Sequence, residues 1–144
     1  VQSYIGDEPF MLTYGDGVGD VDLNALLKQH RSSGKTVTLT GIQPGGRFGV
    51  LDLEGQTVIG FREKAKEDGG WINGGFMAAE PELFRYLSDE ESCILERQPL
   101  ETLAREGKLG IYKHGGFWQC LDTQRDKTWL EDRWQKGNAP WRVW

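Results

Sequence analysis

Phe10-Met11-Leu12-Thr13-Tyr14 is a short continuous apolar run that stops at once on Gly15-Asp16-Gly17. Such a run predicts a buried strand running into a tight loop. The next two segments make this run decisive for the fold. Asp20 or Asp22 can cap a helix whose apolar face is Leu23, Leu26, Leu27 and His30, with Gly34 to stop it. Lys35 to Ile42 is rich in β-branched residues and predicts a second strand. Strand, helix and strand in this order predict a right-handed βαβ unit, and hence an α/β fold.

The pattern then changes. Residues 49–53 and 57–61 flank Glu54-Gly55-Gln56 and predict a hairpin with a short glycine-containing loop. Residues 65–70 are polar and glycine-rich, hence a loop. Ile72 to Ala79 is a strand candidate broken by Gly74-Gly75. Pro81 suits the first turn of a short helix through Leu87. Pro99 opens another, with Leu100, Leu103 and Ala104 inward and Gly107 at its end. Leu109 to Lys113 is a strand, and Thr123 to Lys136 is the last helix, followed by Gly137. The expected architecture is an α/β sheet with an antiparallel insertion, residues 1–144 forming a single domain. Val1 to Ile5 reads as the tail of a helix or a lead-in, so the fold reads as one cut in its middle.

Composition narrows the function classes. Of 144 residues, 38% are hydrophobic and 27% charged, which suits a soluble globular chain. The net charge of −5 disfavours nucleic acid as a general partner, because an acidic surface repels phosphate backbones. A small phosphorylated substrate remains open to a local Lys or Arg. No apolar run reaches membrane-spanning length. Cys93 and Cys120 fit no zinc or redox spacing, and two buried thiols in a reducing, cytoplasmic compartment is the expectation.

Five motifs can carry chemistry. In Tyr14-Gly15-Asp16-Gly17 a carboxylate sits between two glycines at the carboxyl end of a strand, where open α/β sheets bind ligands. It suits a hard cation that carries a nucleotide phosphate, or it is an Asp turning its own backbone. Asp122, between an aromatic-rich strand within 115–121 and a helix start, reads as an N-cap, as a ligand-facing carboxylate, or as both. Lys64 after Phe61-Arg62-Glu63 can neutralise a sugar phosphate while Glu63 accepts from hydroxyls, unless this is a solvated charge run. Asn73, before Gly74-Gly75, offers both a donor and an acceptor, or marks a bulge. Pro44-Gly45-Gly46-Arg47-Phe48-Gly49 is a substrate loop or an ordinary connection. His30 reads as packing, and His114 receives no role. Trp129, Trp134, Trp141 and Trp144 cover the core or form a subunit interface.

Taken in order, these motifs resemble the sugar-1-phosphate nucleotidyltransferases over Ile5 to Trp141. The tyrosine before Gly15-Asp16-Gly17, the stretch Trp71-Ile72-Asn73-Gly74-Gly75-Phe76 and the ending 136–141 are most similar to the glucose-1-phosphate cytidylyltransferase branch. The resemblance implies the C-terminal portion of a Rossmann-like nucleotidyltransferase sheet. It implies Mg²⁺ on Asp16 and Asp122, Gly15 backing the nucleotide and Gly49 contacting the sugar. It also implies Glu63 and Asn73 on the hydroxyls, Gly74 at the substrate and Lys64 on the sugar phosphate. The implied reactants are CTP and glucose 1-phosphate, the product CDP-glucose for lipopolysaccharide O-antigen synthesis, and the implied assembly a homo-oligomer. The family's glycine-rich loop with Thr-Arg and a later lysine has no counterpart in residues 1–144, so the missing N-terminal segment becomes an expected partner. Rival readings are another base or sugar, a non-catalytic sugar-phosphate module, and a glycosyltransferase of similar topology.

Overall fold

The computed structural model describes residues 1–43, 49–54, 57–63 and 70–144, with 49–54 and 57–63 described as backbone only. The elements are α1 (Gln2–Ile5), β1 (Phe10–Thr13), β2 (Gly17–Gly19), α2 (Leu23–Ser33), β3 (Val37–Ile42), β4 (Gly49–Glu54), β5 (Thr57–Glu63) and β6 (Ile72–Ala79). A 3₁₀ helix (Pro81–Tyr86), α3 (Gln98–Arg105), β7 (Leu109–His114), β8 (Trp118–Cys120) and α4 (Gln124–Gln135) complete the chain. The chain is α/β. A mixed four-stranded sheet in the order β1-β6-β3-β7 is accompanied by two separate antiparallel pairs, β2-β8 and β4-β5.

β6 lies antiparallel to both β1 and β3, while β3 and β7 run parallel. The expected strand–helix–strand unit is therefore split: β1 and β3 share a direction, but β6 is inserted between them. β6 suits that central place by being small and apolar on its buried side, with Met77, Ala78 and Ala79 almost fully covered. Gly74-Gly75 do not break it. Instead the register against β3 slips, Leu39 facing Met77 and Gly41 facing Asn73, and Gly75 takes a φ of +79°. A bulge here accommodates the irregularity without ending the strand.

Local signals explain the helices. Asp22, not Asp20, caps α2, accepting from the Ala25 amide at 2.9 Å. Gly34 ends it in the left-handed region at φ +62°. Leu26 and His30 are buried, but Leu23 is 47% exposed, because it sits in the first turn beyond the edge of the sheet-facing stripe. His30 is more than packing: its Nδ1 lies 2.9 Å from Thr38 Oγ1 on β3, and its Nε2 lies 3.3 Å from a Glu80 carboxylate oxygen. In α3 Leu100 and Leu103 face inward as expected and Pro99 is buried with them, whereas Ala104 points to solvent. It lies in the last turn, one residue before α3 ends at Arg105.

The core joins Val37, Met77, Ala79, Leu83, Leu100 and Leu103, with Phe10, Leu12 and Leu39 packed against it. Shortening Leu103, which is fully buried, to Ala is expected to cost about 2–5 kcal/mol. Cys93 and Cys120 are free and half-buried rather than fully enclosed. Among the described residues no helix is long and apolar enough to cross a membrane.

Candidate active site

The sheet gathers the candidate residues at one end. β1, β3 and β7 run parallel, so Tyr14, Ile42 and His114 all mark the same edge, and antiparallel β6 begins there with Ile72 and Asn73. This is the carboxyl edge of the parallel strands, where α/β sheets bind ligands. At this edge the chain leaves β1 through Gly15-Asp16 and enters β2, which pairs with β8 so that Gly17 faces Cys120 and Gly19 faces Trp118. The Leu121 amide donates to the Asp16 carbonyl at 2.7 Å, one step further along the same ladder. Asp16 and the segment entering Asp122, more than 100 positions away by number, thus face each other, and both aspartates are exposed to solvent.

Asp122 does not cap α4. Thr123 does: its hydroxyl accepts from the Asp126 amide, while the Asp126 carboxylate accepts from the Thr123 amide at 3.0 Å. That capping box leaves the Asp122 carboxylate outside the helix's own hydrogen bonding. Burial pushes the Cys120 thiol up from its ordinary pKa, and its hydrogen bond to Asp122 adds to the effect. Asp16 and Asp122 are hard oxygen donors on opposed strand ends. Among the described residues no cluster of three or more His, Cys, Asp or Glu could hold a metal. A pair of carboxylates is nevertheless the donor set that suits Mg²⁺, which keeps its waters and takes phosphate oxygens beside one or two carboxylates.

Asn73 is held on both sides. Its Oδ1 accepts from the Gly75 amide at 2.9 Å, and its Nδ2 donates to the Tyr14 hydroxyl at 3.0 Å. Tyr14 in turn donates to the Glu96 carboxylate, and its amide donates to the Gly75 carbonyl at 2.9 Å. Burial, reinforced by the Glu96 hydrogen bond, raises the Tyr14 phenol well above its ordinary pKa, so it stays a donor. Gly74 is buried: its carbonyl accepts from Trp118 Nε1 at 2.8 Å, and an added Cβ would come within 3.1 Å of the Thr40 carbonyl. It serves as the close joint between β6, β3 and β8. Gly15 has open space where a Cβ would point, so its glycine identity has no packing cause.

The hairpin supplies a second pairing. Gly49 and Glu63 face each other at the open end of β4-β5, so two of the sugar candidates share one ladder rung. Chain connectivity inserts this hairpin between β3 and β6, whose ends Ile42 and Ile72 are paired. Lys64, Arg47 and the rest of the 44–48 loop lie outside the described residues.

Sequence reasoning missed Glu96, the Trp118–Gly74 bond and the brace at His114. His114 Nε2 donates to the Phe117 carbonyl at 3.1 Å, and Asp20 Oδ1 lies 3.0 Å from the same nitrogen. Gly116 has no room for a Cβ between them. Tyr14 is visible beside its Gly-Asp-Gly, but Glu96 carries no local signal within an acidic stretch. Phe117 lies between Trp129 and Trp141, with ring centroids 6.0 and 5.5 Å away.

No family model matches the chain. Over 138 residues, 96% of the chain, it is 49% identical to the glucose-1-phosphate cytidylyltransferase of Salmonella typhi. Over 143 residues it is 40% identical to a probable glucose-1-phosphate cytidylyltransferase of Bacillus subtilis. The chain spans about half the length of these relatives, 53% and 56%. The solved structure of a putative glucose-1-phosphate thymidylyltransferase from Bacillus anthracis, in complex with a sucrose, matches 99% of this chain and 58% of that one. Its TM-score is 0.61 at 18% identity, which establishes a shared fold. Over nearly its full length the chain is thus similar in sequence to one part of the glucose-1-phosphate cytidylyltransferases, and in fold to a solved nucleotidyltransferase structure.

Proposed function

We propose that residues 1–144 form the sugar-phosphate- and metal-binding domain of an enzyme that joins CTP and glucose 1-phosphate into CDP-glucose and pyrophosphate. The supporting observation is the β2-β8 ladder, which sets Asp16 opposite the segment entering Asp122 at the ligand edge of the sheet. In the reaction a phosphate oxygen of glucose 1-phosphate attacks the α-phosphorus of CTP in line. One P–O bond forms as the bond to pyrophosphate breaks. The attacking oxygen is already an anion, so no residue has to remove a proton. The protein's contribution is positioning and charge compensation.

Asp16 and Asp122 would hold Mg²⁺, which when bound supplies positive charge beside the phosphate oxygens. Gly15 lets the nucleotide come close to backbone, consistent with the open space at its Cβ position. Lys64 offsets repulsion between the two anions. Gly49 contacts the sugar, Glu63 and Asn73 hold its hydroxyls, and Gly74 keeps the strand carrying Asn73 tight against β3. Catalysis involves the part of the relatives' length that this chain does not span. A second copy of the chain is the expected partner at Trp134 and Trp144, which are 49% and 80% exposed. The proposed setting is the cytoplasm.

Mn²⁺ titration of the chain, followed by water-proton relaxation, tests the metal pair. Asp16→Asn and Asp122→Asn should each weaken binding markedly, and a variant that binds Mn²⁺ like the parent removes its residue from the site. Assaying the four nucleoside triphosphates with several sugar phosphates, on the chain joined by the rest of a relative's length, tests the reactants. Preference for another base or sugar would replace the cytidylyl and glucose assignment.

A further inference from the structure

The Tyr14, Asn73 and Glu96 side chains form a chain of hydrogen bonds with a single direction. A carboxylate only accepts, so Glu96 obliges the Tyr14 hydroxyl to donate to it. With its proton committed, the Tyr14 oxygen accepts from Asn73 Nδ2 at 3.0 Å. At the other end of the amide the Gly75 N–H only donates, so it must meet Asn73 Oδ1, which it does at 2.9 Å. Both ends of an otherwise flippable amide are therefore specified. One N–H and one oxygen lone pair of Asn73 remain for a ligand, in a fixed arrangement. The ring of Tyr14 packs against Gly75, where a Cβ would come within 2.9 Å of it, so the phenol cannot drift from the amide.

We propose that Tyr14 and Glu96 are positioning residues for sugar recognition, orienting the Asn73 amide that meets the hydroxyls of glucose 1-phosphate. This rests on the proposed role of Asn73 at the sugar. Neither Tyr14 nor Glu96 needs to touch the sugar. Their effect is on hydroxyl recognition, and the phosphate end of the ligand is left to other groups.

The experiment has two arms on the same protein. In the first, the side-chain amide resonances of Asn73 are followed by ¹⁵N NMR without ligand. One Nδ2 proton should be shifted and protected by its bond to Tyr14, and Tyr14→Phe, which keeps the ring, should abolish this. In the second arm, glucose 1-phosphate and inorganic phosphate are titrated calorimetrically. Tyr14→Phe and Glu96→Ala should weaken glucose 1-phosphate about three- to tenfold, the range of one lost hydrogen bond. Neither should change inorganic phosphate binding. Glu96→Gln, which still offers an acceptor oxygen, should restore most of the affinity lost in Glu96→Ala. An Asn73 signature that is absent from the parent, or unchanged in Tyr14→Phe, overturns the proposal whatever the ligand. Glucose 1-phosphate binding that is indifferent to Tyr14→Phe overturns it alone. A parent chain with no affinity for glucose 1-phosphate overturns the functional reading and this use of the amide together.

Discussion

At the scale of single residues, the glycines separate into those the fold requires and those, Gly15 among them, that it does not. Gly75 has φ +79° and the Tyr14 ring against its Cα. Gly75→Ala should destabilise the chain by about 1–3 kcal/mol, read as a lower urea midpoint. Gly15→Ala meets nothing and should stay within about 0.5 kcal/mol of the parent. Loss of nucleotide affinity in Gly15→Ala with stability intact would then report ligand approach. His30 gives a pH dependence. It is 1% exposed, and burial lowers its pKa despite the nearby Glu80 carboxylate. The folded chain therefore binds a proton less readily than the unfolded chain. Stability is full above the unfolded value of about 6.5 and is lost as pH falls below it towards the depressed folded value. Urea midpoints compared at about pH 7.5 and about pH 5.5 should show the loss, and His30→Gln should make it smaller. An equal pH dependence in both proteins would remove His30 as the cause.

At the scale of elements, α4 matters to the site through its start. The Thr123–Asp126 capping box fixes where the helix begins and leaves Asp122 just outside it, beside the strand end that faces Asp16. Thr123→Ala should cost about 1 kcal/mol. Hydrogen exchange should report it as faster exchange in the first turn of α4, with the β3-β6 amides unchanged. Element types were largely legible from the sequence. The apolar run at Phe10, the β-branched run before Ile42 and the glycine stops after α2 and α4 are local signals with local causes. Elements whose character depends on partners read less well. Gly74-Gly75 resemble a break, yet cross-strand bonds to β1 and β3 carry β6 through them. Asp122 resembles a cap, yet the next residue has both the hydroxyl and the acidic partner three positions on.

At the scale of the whole molecule, β1 is an edge of the sheet, paired only with β6 among the described residues. Beside it lies an apolar cavity of about 470 Å³ lined by residues that include Phe10, Leu12, Phe84 and Leu87. Met11 on this strand is 41% exposed. Such a surface should bind an apolar fluorescent dye in the isolated chain. Co-expression with the rest of a relative's length should quench that signal, and dye binding unchanged by the added segment would place its contact elsewhere.

The order of the strands and helices other than β2, the glycine stop of α2, and the identity of nearly every candidate residue were set by the linear sequence. Each rests on side-chain periodicity or a backbone preference that acts within a few residues. The insertion of β6 between β1 and β3 was decided only in three dimensions, as was the meeting of Asp16 with the approach to Asp122. So was the directed chain from Asn73 through Tyr14 to Glu96. Those contacts join residues tens of positions apart. Strand pairing and hydrogen-bond polarity arise from which backbone edges and donors the packed core brings within reach, and no local stretch of sequence encodes that.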